Sequence, residues 1–438
     1  MARSLLMVLL LAAPLLAAPV PPEEKPKPRA KLLGTVKLNK HVTEVFWTPD
    51  AKHLIIVTGE KGLVIDRDQL GEDAPAKPIA EFAIPVGGVC KFGVTPDGTE
   101  LYAFVTAGRI NAETRLCYWI LKDLLDGKKK AKPDRVVSLE VDNPTHFVLS
   151  ADGKSLYTVV SEPRRGGVLQ PNGQLPQIGK VLRVSTKTGD VAEELMPLDL
   201  PNATLVGAAV HPATGKVFAH FQSPEEHVVH CFDRAGKKEK WERGFIQPSP
   251  NGNVGNDPKL SPDGQVVVAF WSRQFLAPHP NQRPGQPVQL MSVNTISPQL
   301  LNAGSGDVIA DLGGDDVYGS QVFGFSTDSK LMVGSLYRST GFQFLVWETK
   351  SGKPIKTWKG VLGESLAAFA PGRYELAIVE RSQTQVMQPL DRIHGGILMD
   401  TGGSQPQIIE SYAQPQGQVV RVDHTAVIGV WDLAPLVK

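Results

Sequence analysis

Three groups of residues in the 438-residue chain have side chains suited to binding or transforming a ligand. The first is His211, His220, His227, His230 and Cys231, with Glu225 and Glu226 nearby. Imidazole and thiolate are ligands for zinc or copper. The spacing is poor for that purpose, because His227 and His230 stand three apart in an extended segment and point to opposite faces. No metal site and no cofactor are expected. Asp315-Asp316 follows Gly313-Gly314 but lacks the alternating aspartates of a calcium loop. The second group is Glu44, Lys91, His146 and His211, which stand in apolar segments and are too few to build a mechanism on. No nucleophile elbow, no His-Glu-x-x-His helix and no phosphate-cradling Gly loop is present, so no catalytic residue is assigned.

The third group is nine arginines: Arg109, Arg115, Arg164, Arg165, Arg273, Arg283, Arg338, Arg381 and Arg392. They lie in segments that contain no lysine and few acids (Glu113, Glu162, Glu225, Glu226, Asp391). A guanidinium offers a planar fork to carboxylate, sulfate or phosphate and stacks on rings. Two readings stay open. These arginines line a face for an anionic or glycan-like ligand, or they solubilise Pro- and Gln-rich surface segments.

The elements that would position these groups form a repeat. An apolar run ends in a Pro-Asp-Gly-like turn and a second apolar run follows at once, as in VFWTPDAKHLIIV from Val45 and KFGVTPDGTELYAFV from Lys91. The same pattern recurs from His146, Gly207, Pro258, Phe323 and Ala367. Pro presets φ, Asp bonds to its own turn and Gly accepts positive φ, which makes each copy a hairpin. A third apolar strand closed by a polar Gly turn follows each copy, and usually a fourth. Four strands repeated seven times is the signature of an all-β, single β-propeller of seven four-stranded blades. The segment Arg381–Thr425 contains further strand-like pieces, HGGILMD and QPQIIES, which leave an eight-bladed ring as the competing account.

Ser261-Pro262-Asp263-Gly264 and Trp431-Asp432 resemble the repeats of the WD40 and YVTN-type propeller families, with Trp347-Glu348 a degenerate copy. The resemblance covers nearly all of 31–438, although the Gly-His pair common before WD40 repeats is absent. Such families usually close the ring by pairing an N-terminal strand with the last blade. Here Ala30–Leu38 has no blade of its own, and Val427–Leu433 is a third strand with little chain after it. The two are expected to complete blade seven. Related seven-bladed propellers include lactonases with a site at the mouth of the central channel.

The extra length in the repeats falls between second and third strands, at 107–115, 161–178, 222–227, 272–297, 337–342 and the blade-seven insertion. Equivalent loops emerge on one face of a propeller, and long loops on a rigid scaffold are where binding tends to reside. The nine arginines are on these segments.

Composition narrows the rest. Lys+Arg 46 against Asp+Glu 45 leaves a net charge of +1, which argues against a nucleic-acid partner. Residues 1–18 read as a signal peptide, with Arg3 before an apolar core too short to span a bilayer. Residues 19–30 read as a Pro- and charge-rich spacer. The mature chain is expected to be exported, periplasmic or extracellular, monomeric and without a transmembrane segment. Cys90, Cys117 and Cys231 are an odd set in strand patterns and read as buried free thiols. Asn202-Ala203-Thr204 is a glycosylation sequon. The preferred functional reading is a non-catalytic binding or protein-interaction scaffold that works through the long-loop face. The alternative is a lactonase-type enzyme at the channel mouth.

Overall fold

The computed structural model describes residues 29–71, 77–85, 88–107, 113–141, 144–163, 177–198, 204–222, 226–232, 238–246, 258–278, 290–314, 317–338, 341–359, 366–388 and 418–437. The signal peptide and most of the spacer read from the sequence, Asn202 and Ala203 of the sequon, and Asp315-Asp316 lie outside these residues. So do HGGILMD and QPQIIES.

Seven antiparallel sheets of four strands each make a seven-bladed β-propeller. In blades one to six the strands follow chain order from the axis outward. The first strands are Val42–Trp47, Gly88–Val94, Pro144–Leu149, Thr204–Val210, Lys259–Leu260 and Val317–Phe325. In blade seven the order is Leu366–Phe369, Glu375–Gln388, Gln418–Asp432 and then the N-terminal strand Lys31–Leu38. Lys31 stands opposite Asp432 and Leu38 opposite Ala426, so the ring closes with an outermost strand from the other end of the chain. The N-terminal strand covers the edge of Gln418–Asp432 that would otherwise be unpaired.

Each blade buries both faces against its neighbours. Alternating residues along the strands therefore belong to different interfaces. Val45, Trp47, Ile56, Val379 and Ile428 pack between blades seven and one. Phe82, Phe92, Leu101 and Trp119 pack between blades one and two. Met332, Leu336 and Trp347 meet Val268 and Phe270 between blades five and six. Leu331, Val333 and Phe344 meet Leu376 and Ile378 between blades six and seven. Fully burying one such side chain stabilises the fold by about 1.5–3 kcal/mol.

The hairpin turns share one hydrogen-bond circuit. The hydroxyls of Thr48, Thr95, Ser150, Ser261 and Ser326 donate to the aspartate two residues on at 2.6–2.7 Å. Each carboxylate accepts the N–H of Lys52, Thr99, Lys154, Gln265 or Lys330 in turn, at 3.0–3.1 Å. The same hydroxyls accept the N–H that opens the second strand. In blade four His211 takes the hydroxyl's place, and its Nδ1 accepts the N–H of Thr214 at 3.1 Å. Its ring packs on the next turn, where a Cβ on Gly264 would lie 2.7 Å from it. Gly98, Gly153 and Gly264 adopt φ of +72°, +69° and +69° at these turns. Where glycine is missing, Ala51 and Ser329 take the same left-handed conformation, at φ +56° and +59°.

Candidate functional site

The connections between second and third strands all leave one face of the ring, opposite the Pro-Asp-Gly turns. In blade six this hairpin is short: Leu331–Arg338 pairs with Gly341–Glu348, with Arg338 opposite Gly341. Counting from the turn anchors Ser261, Ser326 and Ala370, the positions matching Arg338 are Arg273 in blade five and Ser382 in blade seven. There the ladders go on. In blade five they continue to Pro278 opposite Leu290, and in blade seven to Gln388 opposite Gln418. At ~3.4 Å per residue, the five and six further residues add about 17 and 20 Å of strand beyond the tip of blade six.

Segments that read as loop are therefore partly strand. The reason is cross-strand pairing, which a Pro- and Gln-rich composition does not announce. Among the described residues, first strands flank these hairpins as far as Val268 in blade five and Val379 in blade seven. Fourth strands flank them only as far as Gln299 and Ala426. Beyond those points the described residues form two-stranded ribbons, one on each side of blade six.

Between the ribbons, the blade-six tip carries an aromatic pair. Tyr337 and Phe342 stand opposite each other with ring centroids 4.7 Å apart. Their alternation with Val333 and Phe344 places both on the side facing blade seven. Tyr337 is 44% exposed, one of few large apolar-bodied side chains so open among the described residues. Arg338 alternates with Met332 and Leu336 and so faces blade five.

The arginines read from the sequence divide as follows. Arg115 is on the blade-two third strand Glu113–Ile120, exposed and ion-paired with Glu113. Arg338 ends the second strand of blade six, and Arg381 lies at the base of the blade-seven ribbon, opposite Ala426. Arg273 lies in the blade-five ladder opposite Thr295. Arg109, Arg164, Arg165, Arg283 and Arg392 lie outside the described residues.

The residues read on the innermost strands form a second feature. Glu44 and Lys91 occupy matching positions in blades one and two, each beside a β-bulge. The Oε2 of Glu44 accepts the N–H of Phe92 at 2.8 Å. Lys91 Nζ donates to the carbonyl of Phe147 in blade three at 3.1 Å. Burial pushes the Glu44 carboxyl up to about 7, against smaller opposing effects of the Phe92 N–H and the Lys91 charge. Glu44 is partly buried on the innermost strand of its blade.

Within the histidine cluster, His220 and His230 do not converge. His220 is opposite Val229 and His230 opposite Ala219, on neighbouring strands. His230 is buried edge-on to Phe221 with its Nδ1 3.8 Å from Glu242. Among the described residues no three metal-ligating side chains gather. Cys117 and Cys231 are buried free thiols, and burial pushes the Cys117 thiol up. A cleft of about 130 Å³ lies between the turns of blades six and seven, lined by Ser326, Thr327, Asp328, Gly372, Arg373 and Tyr374. No described helix is long and apolar enough to cross a membrane.

The fold defines the class, a seven-bladed β-propeller. No protein-family model matches the chain. No curated protein matches it in sequence. Among solved structures, Kuenenia stuttgartiensis hydrazine synthase aligns with a TM-score of 0.48 at 16% identity, over 76% of this chain and 91% of that chain. The Cps50 (Swd1) β-propeller domain of Myceliophteria thermophila aligns with a TM-score of 0.46 at 12% identity, over 80% and 96%. At such identities the likeness reaches no further than the fold.

Proposed function

We propose that the protein is an exported, non-catalytic binding module that engages a protein or an anionic, glycan-like ligand through the ribbon-bearing face. The observation that carries this reading is the pair of ribbons flanking the exposed Tyr337–Phe342 tip of blade six. Aromatic rings present a large, rigid surface at low entropic cost and suit sugar faces and apolar side chains alike. Arg338 and Arg381 stand at the base of the same region, where a planar cation can fork onto carboxylate or sulfate. Residues 1–18, as a cleaved leader, would deliver the domain across a membrane.

The test is binding by the mature chain to acidic-glycan arrays and in pull-downs from its own environment. The variants are Tyr337→Ala, Arg338→Ala and the pair Arg164→Ala/Arg165→Ala. Loss of tenfold or more in affinity for a captured ligand is expected from the first two. Unaltered affinity in all three rejects this face.

The channel-mouth enzyme retains one supporting observation, the raised carboxyl of Glu44. Hydrolysis needs a second acid–base group positioned beside the first. The charged neighbour of Glu44 is Lys91, whose ammonium is held by the Phe147 carbonyl.

A further inference from the structure

Successive turns on the Pro-Asp-Gly face pack on one another. A Cβ on Gly98 would meet Pro49 of the preceding turn at 3.6 Å, and one on Gly153 would meet Pro96 at 3.4 Å. The matching Ala51 of blade one is 1% exposed. The seam between blades six and seven departs from this rule twice. Thr327, one residue beyond its anchor Ser326, stands where Pro49 and Pro96 stand. Arg373, three beyond Ala370, stands where blades one, two and three hold Ala51, Gly98 and Gly153. Beside it Gly372, at φ +66°, has nothing within 4 Å of where a Cβ would lie. The cleft of about 130 Å³ opens at this point. A local rule broken at one place in a repeat marks a candidate site.

The charges in the cleft are unevenly used. One oxygen of Asp328 accepts from the Ser326 hydroxyl and the Lys330 N–H, and the other from the Tyr374 hydroxyl at 2.6 Å. Glu375 accepts from two nitrogens of Arg67. Arg373 reaches that carboxylate only at 3.5 Å and keeps 45% of its side chain exposed. The cleft therefore offers a guanidinium, a tyrosine ring and the room of a missing prolyl ring. That chemistry suits a proline beside a carboxylate in an extended peptide.

The same seam receives the N-terminal end of the described chain. Ala30 packs with Tyr374 and Leu436 against the cluster between blades six and seven. Lys31, Asp432 and Glu375 stand in line across three strands, so the chain enters about 10 Å from the turn that carries Arg373. Just ahead in sequence come Pro21-Pro22-Glu23-Glu24. At ~3.1 Å per residue, the stretch from Lys31 back to Glu24 spans up to about 22 Å. A tethered ligand is presented at roughly millimolar effective concentration, so a few contacts suffice to seat it.

We propose that residues 21–24 of this chain dock in the cleft between the turns of blades six and seven, with a prolyl ring against Tyr374 and a carboxylate on Arg373. Cleavage after Glu23 or Glu24 by a glutamyl endopeptidase reads the docking in the chain from Pro19 onward, the N-terminal product being followed by mass spectrometry. Cleavage is expected to be at least tenfold slower than in a free peptide of residues 19–29. Thr327→Pro fills the gap as Pro49 and Pro96 do elsewhere, and Arg373→Ala removes the cation. Each is expected to return cleavage to the rate of the peptide. Parent cleavage at the peptide's rate, or slow cleavage that neither variant relieves, overturns the docking. Protection that is lost on dilution would seat the segment in a second copy and overturns it as well. Both substitutions fall at exposed positions, and should one variant not fold, the other decides.

Discussion

Arg67 and Glu375 join the two ends of the ring through a two-pronged ion pair. The Nε and Nη2 of Arg67 donate to the two carboxylate oxygens of Glu375 at 2.7 and 2.6 Å, across 308 residues of sequence. Arg67 follows the third strand of blade one, and Glu375 opens the second strand of blade seven with only 7% of its surface exposed. Arg373 Nη1 stands 3.5 Å from the same carboxylate.

Removing Arg67 leaves Glu375 buried with a weaker partner. Arg67→Ala is expected to cost about 2–3 kcal/mol in denaturant unfolding. The double variant Arg67→Met/Glu375→Leu should lose less than Arg67→Ala alone, because no charge is then stranded. A double variant less stable than the single would show that the pair itself, rather than the orphaned carboxylate, sets the cost.

Trp47 makes a second closure contact, its indole N–H donating to the Ala368 carbonyl at 3.2 Å. Trp47→Phe keeps most of the apolar contact and removes the donor. A loss of about 1–2 kcal/mol is expected, the carbonyl of a closely packed strand being left unpaired. Thermal melting checks this, and an unchanged midpoint would mean that water satisfies Ala368.

The turn aspartates predict acid lability. Bonds from Thr95 and Ser150 hold the carboxyls of Asp97 and Asp152 below the usual range. At Asp328 partial burial pushes the other way, but bonds from Tyr374 and Ser326 outweigh it and hold the carboxyl at about 2. Their folded values are depressed, so the stabilisation is present above about pH 4 and is lost as pH falls through the folded values. Melting between pH 5 and pH 2 should show a steep decline, shallower in Asp328→Asn. Equal slopes in both proteins would remove Asp328 from the account.

The N-terminal strand should be indispensable. Deleting 30–38 exposes the outer edge of the strand ending at Asp432, removes the buried Val36 and uncovers Ile428 and Val430. The truncated chain is expected to melt well below the parent or to aggregate. Unchanged melting would mean that the ring closes without that strand.

The repeat and its closure were legible because their signals are local. A hydroxyl, an aspartate and a glycine within four residues specify the hairpins at Thr95, Ser150 and Ser261, the other four keep part of that pattern, and a strand without a blade must pair somewhere. Even His211 and Ala51 depart from the pattern without hiding it. The interblade contacts were not legible. Nothing near Arg67 points to Glu375, and Glu44 read only as an inner-strand carboxyl until the ring set it against Phe92. The arginine segments of blades five and seven read as loops because pairing between Arg273 and Thr295, or Gln388 and Gln418, depends on a partner strand rather than on composition. Tyr337 opened the 337–342 segment, but nothing in the sequence marked its ring as exposed. Its exposure follows from where the blade-six hairpin turns relative to its neighbours.

The most direct test of the binding face is a hydrogen-exchange footprint of the mature chain with a captured ligand. Binding through the ribbons predicts new protection confined to Trp271–Pro278, Tyr337–Phe342 and Glu380–Gln388. Protection at the Pro-Asp-Gly turns, or along Val42–Trp47 and Gly88–Val94 at the axis, would contradict it and move the site to the opposite face or to the channel.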